Sequence, residues 1–479
     1  MKTIQNTFTL IAALFISISI FSKEIEVKEG SSIQKAVEEA SPGDTVKVYP
    51  GIYHEFVYVD KPNIRLIGVI QDGKWPRLEG RNKLNDGIIA SGSGFYVEGF
   101  HISNYRANGV MTQAANDVVI RKLMIDHTGI YGIYPTLGTN ILIEDTVSWG
   151  IADAAIYVGM CKNTDVRRNE VFDNVSGIEI ENSSNILVEE NTVYNNTAGI
   201  LVFTLPGLPT KSSVNIIVRN NIIFENNHKN FAAKGAIVGN VPPGIGLMIL
   251  SSDKVTLEKN IIRRNSLAGI VVADKSALPP SKKPDPDADP APDDLKILDN
   301  LFYENGTRNW SNTFTWLHFI FKIIFEGGTP PSIDDGSGKG GGIFPEGKDI
   351  IAVGGGENNC VLQKNSMTSQ GISKWTICGE SSTQKMATTI GQRIPIEAVK
   401  NIGAQVYAAI CSGCHAMGVT RIGPPVTEIQ LKYANNPTAI VKFATEPMKV
   451  RQGFPDMPSQ KYLGVEKLSE VAKYMLQLK

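Results

Sequence analysis

Histidine and cysteine are scarce in this chain. Its 479 residues hold six histidines and five cysteines, and none of either lies beyond His415. A zinc site built on the cysteines near that histidine would need a second ligand pair further on, and there is none. Charge of one sign is also lacking. Lys and Arg number 47 against 48 Asp and Glu, a net charge of −1, which argues against a nucleic-acid binder. Long apolar runs are missing as well. The run from Phe8 to Phe21 lies between Lys2 and Lys23-Glu24. It is too short and too poorly flanked for a stable membrane span, and reads as a secretory signal peptide over residues 1–22, cleaved after Ser22. No cysteine sits at that boundary, which argues against a lipoprotein anchor. The apolar stretch Phe314 to Phe325 is likewise too short to cross a bilayer. The expectation is an exported protein, periplasmic or secreted, with no membrane span after signal cleavage.

The most informative string that is present is Cys411-Ser412-Gly413-Cys414-His415. Two thiols on one turn can each form a thioether to a heme vinyl group, and the adjacent histidine then falls beneath the iron. The expectation is one covalent heme c held by Cys411, Cys414 and His415. Export agrees with this, because c-type heme is attached on the outer side of the bacterial inner membrane. A low-potential sensor can leave the second side of the heme open, whereas an electron carrier closes it with Met or His; with no later histidine the candidates from this region are Met417, Met448, Met457 and Met475. Met417 is too close to the attachment site to reach round the ring. Met475 belongs to a helical run with apolar residues at 465, 468, 471, 475 and 478, and reads as core. Met457, in the irregular string Gly453-Phe-Pro-Asp-Met457-Pro458, is preferred, with Met448 as the alternative.

Heme motif, Gly423-Pro424 turn, Met-Pro loop and C-terminal helix follow one another in an order that resembles a class I cytochrome c domain, over roughly 395–479. The resemblance implies that the Pro424 carbonyl accepts the N–H of the proximal imidazole, and that a redox partner protein exists. Lys442, Lys449, Arg451 and Lys461 flank the Met loop and could steer an acidic partner.

The body of the chain is a repeat. Gly132-Ile-Tyr-Pro, Ala155-Ile-Tyr-Val, Gly177-Ile-Glu-Ile, Gly199-Ile-Leu-Val, Gly246-Leu-Met-Ile and Gly269-Ile-Val-Val recur, with unbroken neighbours about 22 residues apart, a solenoid period. Asn116, Asn140, Asn163, Asn185, Asn215 and Asp253 mark a second position, and Asn169, Asn191, Asn221, Asn260 and Asn300 a third. The alternation has period two, and the Leu-x-x-Leu-x-Leu pattern of leucine-rich repeats is absent. Three short strands per repeat, stacked in parallel, give a right-handed parallel β-helix with aliphatic ladders inside and asparagine ladders at the turns. Residues 31–53, a short amphipathic helix and a Pro-Gly turn, resemble the N-terminal cap of pectinase-like and NosD-like secreted β-helices. The fold class is therefore mainly β, a parallel β-helix solenoid followed by a small all-α cytochrome c domain. The expected boundaries are 23–380 for the solenoid, 381–392 for a polar linker and 393–479 for the cytochrome domain. Insertions are expected at 204–213, 226–243, 275–293 and 310–345. Cys360 and Cys378 could pair in an oxidising compartment or remain free thiols, and Cys161 packs inside.

In the repeat register Tyr134, Tyr157 and Glu179 take one outward position on successive rungs. Asp126, Asp153 and Asp173 fall near the preceding turn, with His127 and Tyr131 close by. Aromatic rings with carboxylates suit sugar binding, so Tyr134, Asp153, Tyr157 and Glu179 are candidate polysaccharide-binding residues. Tyr131-Gly-Ile-Tyr-Pro135-Thr-Leu resembles the Tyr-Gly-x-Asp-Pro-His-Asp motif of alginate epimerases, but Tyr134, Thr136 and Leu137 replace the groups that would move the proton. The whole chain resembles exported β-helix repeat proteins of NosD-like and carbohydrate-binding type, here fused to a cytochrome. The functional expectation is periplasmic electron transfer with a β-helix module for carbohydrate or partner binding. The alternative is a heme-linked redox or carbohydrate-active enzyme of lyase or epimerase type.

Overall fold

The computed structural model describes residues 22–233, 236–275, 285–307, 348–379, 402–412, 414–418, 420, 423–448 and 457–478. Residues 1–21 of the expected signal peptide, most of the Pro-rich insertion, the expected insertion at 310–345 and the expected linker at 381–392 lie outside the described residues.

Three all-parallel sheets of 13, 10 and 11 strands form the solenoid; they are sheets one, two and three here. Each turn of chain adds one strand to each sheet. In one rung Thr139–Glu144 joins sheet one, Val147–Trp149 sheet two and Ala154–Gly159 sheet three. The register is continuous: Ile133, Ile156, Ile178, Ile200, Leu247, Ile270 and Ile350 pair in turn down sheet three. All seven have no solvent exposure. A parallel sheet covered on its inner face favours such aliphatic columns. The coil starts well before the visible repeat, because Glu24–Val27 and Thr45–Val48 already pair in sheet one. Between them the helix Ile33–Glu39 caps the open end. Ser32 Oγ accepts from Lys35 N at 3.2 Å, and Ile33, Ala36 and Val37 are buried.

Asparagines hold the turns together. Asn169, Asn191, Asn221, Asn260 and Asn300 form one buried ladder, with Nδ2 to Oδ1 distances of 2.9–3.0 Å. Asn140, Asn163, Asn185 and Asn215 form a more exposed one. These four adopt positive φ (51–60°), which asparagine tolerates. A second buried ladder, Asn174, Asn196, Asn226, Asn265 and Asn305, is absent from the sequence reading. So is the outer stack Trp149–Phe172–Tyr194–Phe224 on sheet two, whose rings lie within 14° of parallel.

The loops that follow Phe203 and Ala273 meet on the surface, where Lys211 pairs with Asp285 at 2.7 Å. At the far end Cys360 and Cys378 form a disulfide, and the short strands Ser369–Gln370 and Thr376–Ile377 add a partial final rung. Cys161 is buried in the core, and burial pushes its thiol up to about 12. The C-terminal unit is helical: Ile402–Val406, a π turn Tyr407–Cys411, Val426–Lys432, Pro437–Thr445 and Gly464–Gln477. Its core gathers Val406, Val426, Leu468, Val471 and Met475. Among the described residues no helix is long and apolar enough to cross a membrane.

Candidate heme site

The π turn Tyr407–Cys411 brings the paired cysteines and the histidine onto one bend. His415 N donates to Cys411 O at 2.8 Å and Cys414 N to the same oxygen at 3.2 Å. Both thiols are half-buried, and burial pushes Cys411 up to about 12. His415 is 9% exposed, and its Nδ1 lies 2.8 Å from Pro424 O. A carbonyl only accepts, so Nδ1 carries the hydrogen and Nε2 is left with its lone pair. Gly423 makes room for the ring, since a Cβ there would lie 2.5 Å from His415 Cε1. Burial lowers the pKa of His415 against the opposing bond to Pro424, which keeps the imidazole neutral, as an iron ligand must be. Tyr407 Oη donates to His415 O at 2.9 Å and fixes the bend from behind.

Of the four methionines, Met448 is 74% exposed and Met475 is 3% exposed in the core. Met417 and Met457 are half-buried in the same apolar cluster as Cys411. The residues present therefore fit a heme c: paired thiols, a neutral histidine with a free Nε2, and Met457 within one apolar shell.

The helical unit seats on the outer face of sheet three at the N-terminal rungs. Tyr462 packs against Phe56 (centroids 4.8 Å apart) and Tyr58 (5.7 Å). Ile410, next to the first cysteine, joins the same cluster as Met111 and Tyr134. Lys467 pairs with Asp60 at 2.8 Å and lies over the Tyr58 ring. That pair is partly exposed and is worth roughly 0.2–1 kcal/mol; the aromatic contact supplies most of the seat. Sequence reading missed this seat entirely.

The candidate sugar-binding residues share one outward column, as the repeat register implies, but they are buried. Tyr58, Ile89, Met111 and Tyr134 are successive members of one outward column of sheet three, which continues through Tyr157, Glu179 and Leu201. The column points away from the core, but it is not a surface. Tyr134, Tyr157 and Glu179 are 7%, 4% and 4% exposed. The rings of Tyr131, Tyr134 and Tyr157 fill one another's space at 4.4–5.0 Å, leaving no face for a sugar. Period-two alternation separates in from out; it carries no information on what covers the outer face. Asp153 stands at the edge with its Oδ1 unpartnered. Asp126 lies instead on sheet two between His101 and His127, and Asp173 meets Asn195.

Burial pushes the Glu179 carboxyl up to about 7, against a hydrogen bond from Ser176, and pushes Asp153 well up with the added charge of Glu179 and Glu181. A carboxyl whose folded pKa exceeds its unfolded value favours folding at low pH. That contribution is lost as pH rises from the unfolded value of about 4.3 through the folded one. Glu179→Gln is therefore expected to stabilise the protein by roughly 3–4 kcal/mol at most at pH 8 and by almost nothing at pH 4. Denaturant melts at both pH values check this, and equal effects at the two would contradict it.

Residues 39–241 match the family model described as periplasmic copper-binding protein (NosD), and residues 398–475 match that of cytochrome C oxidase, cbb3-type, subunit III. No curated protein matches the chain. Among solved structures the chain is similar to the A-module of Azotobacter vinelandii mannuronan C-5 epimerase AlgE6, with TM-score 0.46 and 13% identity over 72% of this chain and 91% of that one. It is similar to the AlgE4 A-module from the same organism, with TM-score 0.44 and 16% identity over 56% and 70%. It is also similar to an alginate lyase from Paenibacillus sp. str. FPU-7, with TM-score 0.45 and 14% identity over 59% and 98%.

Proposed function

We propose that this chain, a NosD-type β-helix domain followed by a cbb3-type cytochrome c domain, is an exported one-heme electron-transfer protein of the periplasm. The solenoid is the mount on which the heme domain sits. The observation that carries this reading is the His415 imidazole, held by Pro424 O at 2.8 Å with Nε2 free, on the bend that also carries Cys411 and Cys414. The heme supplies one-electron transfer. Cys411 and Cys414 would tether it, His415 would be an iron ligand, and Pro424 fixes the tautomer and orientation of His415. Met457, packed against the apolar cluster of Val406, Val426, Leu468 and Met475, would supply a second ligand, and that cluster would keep water from the site. A redox partner protein of acidic surface would meet Lys442 and Lys461.

For copper, which the matched family description names, the described residues offer no group of three or more His, Cys, Asp or Glu arranged to hold a metal ion, so the reading does not rest on it. A polysaccharide-active solenoid would need an open cleft at Tyr134, Tyr157 and Glu179, and their burial removes that support.

Met457→Ala tests the ligand assignment. Loss of the far-red charge-transfer band of methionine-ligated ferric heme is expected, together with binding of added imidazole or cyanide, while the heme stays attached. If Met448→Ala has that effect and Met457→Ala does not, the assignment is wrong.

A further inference from the structure

One strand of the solenoid meets the helical unit with three outward side chains in a row. Val57–Val59 is the first strand of sheet three. Val57 and Val59 have no solvent exposure and point into the core, so by alternation Phe56, Tyr58 and Asp60 point out. Each finds a partner in the helical unit. Phe56 and Tyr58 meet the Tyr462 ring with centroids 4.8 and 5.7 Å apart, and Asp60 pairs with Lys467 at 2.8 Å. Tyr58 also packs into the apolar cluster of the helical unit, the one that holds Tyr407, Cys411 and Met457. Its place is fixed from two sides. Its backbone N donates to Gln34 Oε1 at 2.7 Å, and its hydroxyl lies 3.1 Å from Ser91 Oγ. Two strands further on, the turn Tyr407–Cys411 lies against Val110–Gln113, and Ile410 joins the cluster of Met111 and Tyr134. The bend that carries Cys411 therefore has the solenoid along one side.

We propose that the solenoid completes the heme pocket: Tyr58 is part of its wall, and it holds the midpoint potential up by keeping water from the attachment bend. This rests on the reading of Cys411, Cys414 and His415 as a heme site. With neutral axial ligands the ferric state carries one more positive charge than the ferrous state, and water favours the more highly charged of the two. An apolar shell withholds that water and so favours the reduced form. The helical unit supplies one part of the shell with Val406, Val426, Leu468 and Met475. Tyr58 supplies another from the opposite end of the chain. A tyrosine suits the place, because its ring is apolar and its hydroxyl is already engaged with Ser91. Charge is not the lever here. The Lys467 Nζ lies 5.5 Å from the centre of the Tyr58 ring, but Asp60 pairs with it, so the two bring no net charge to the seat.

The test is a redox titration of the full-length, heme-loaded protein. Tyr58→Ala is expected to shift the reduction equilibrium toward the ferric form by up to about tenfold, which is about 59 mV for one electron, with the wild-type absorption spectrum retained. Tyr58→Phe keeps the ring and is expected to match the wild type. Tyr194→Ala, which removes a ring from the outer stack of sheet two, is expected to leave the potential unchanged. An unchanged potential in Tyr58→Ala overturns the proposal and leaves the strand a mount only. So does an equal shift in Tyr194→Ala, because lost stability would then account for both. A shift that comes only with an altered spectrum overturns it as well, since an exchanged ligand would be the cause. Should Tyr58→Ala fail to fold, NMR spectra of the protein with ring-labelled tyrosines decide. The Tyr58 signal, identified by its absence in Tyr58→Phe, must carry a paramagnetic shift in the ferric protein that vanishes on reduction, and an unshifted signal overturns the proposal. A chain that is exported and folded but carries no covalent heme instead overturns the reading beneath it, and heme staining separates the two failures.

Discussion

The Cys411→Ala/Cys414→Ala variant, exported from cells that mature c-type cytochromes, is expected to run as an unstained band where the wild type stains for heme. Stain on a denaturing gel reports covalent attachment alone, and among the described residues these two thiols stand beside a histidine with a free Nε2. The other cysteines are committed elsewhere. Cys360 and Cys378 are joined to each other, and Cys161 lies in the solenoid core. The loss should be complete for the pair and severe for Cys414→Ser alone. The solenoid should survive it, because its rungs are paired strand to strand and asparagine to asparagine without help from the helical unit. Far-ultraviolet circular dichroism would then keep its β signature while the heme absorbance disappears. A double variant that still stains would end the heme assignment.

What could be read in the sequence divides along a physical line. Whatever repeats with the rung was visible, because each rung solves the same packing problem with the same residues. The aliphatic columns through Ile156, Ile178 and Ile200 and the ladder from Asn169 to Asn300 are of this kind. The five-residue heme motif was visible because its chemistry is local, and the hydrogen bond of His415 to Pro424 is nearly so. The ladder from Asn174 to Asn305 repeats just as strictly and could have been found. Its signal was the paired asparagines Asn195-Asn196 and Asn226-Asn227, where the neighbour drew attention from the buried member. What covers sheet three was not legible. Tyr462 meets Phe56 and Tyr58 across some 400 residues, and no periodicity encodes a contact made once. The same gap misled the reading of Tyr134, Tyr157 and Glu179. Their outward direction follows from alternation; their burial follows from Tyr131 and the neighbouring outward side chains, which alternation does not address.

The asparagine ladders separate two expectations of very different size. Asn196→Ala is expected to destabilise the solenoid by about 3–5 kcal/mol, and Asn185→Ala by no more than about 1 kcal/mol. Asn196 has no solvent exposure. Its Oδ1 accepts from the backbone N of Asn174 at 3.0 Å and from Asn174 Nδ2 at 2.9 Å, and its Nδ2 donates to Val171 O at 3.2 Å and to Asn226 Oδ1 at 2.9 Å. Alanine removes all four bonds and leaves a backbone N–H and a backbone C=O without those partners in a place water cannot reach. Each such group costs about 1–3 kcal/mol, and the amide-sized gap adds to it. Asn185 donates to Asn163 at 3.1 Å and accepts from Asn215 at 2.7 Å, but at an exposed turn, where water replaces both bonds. Its remaining contribution is its tolerance of φ near 57°, which alanine adopts at a modest cost. Guanidinium melts of the two variants decide the matter, read beside a rung far from either site to detect partial unfolding. Equal losses would mean that the buried ladder is no more than filler, and that the aliphatic columns alone hold the rungs in register.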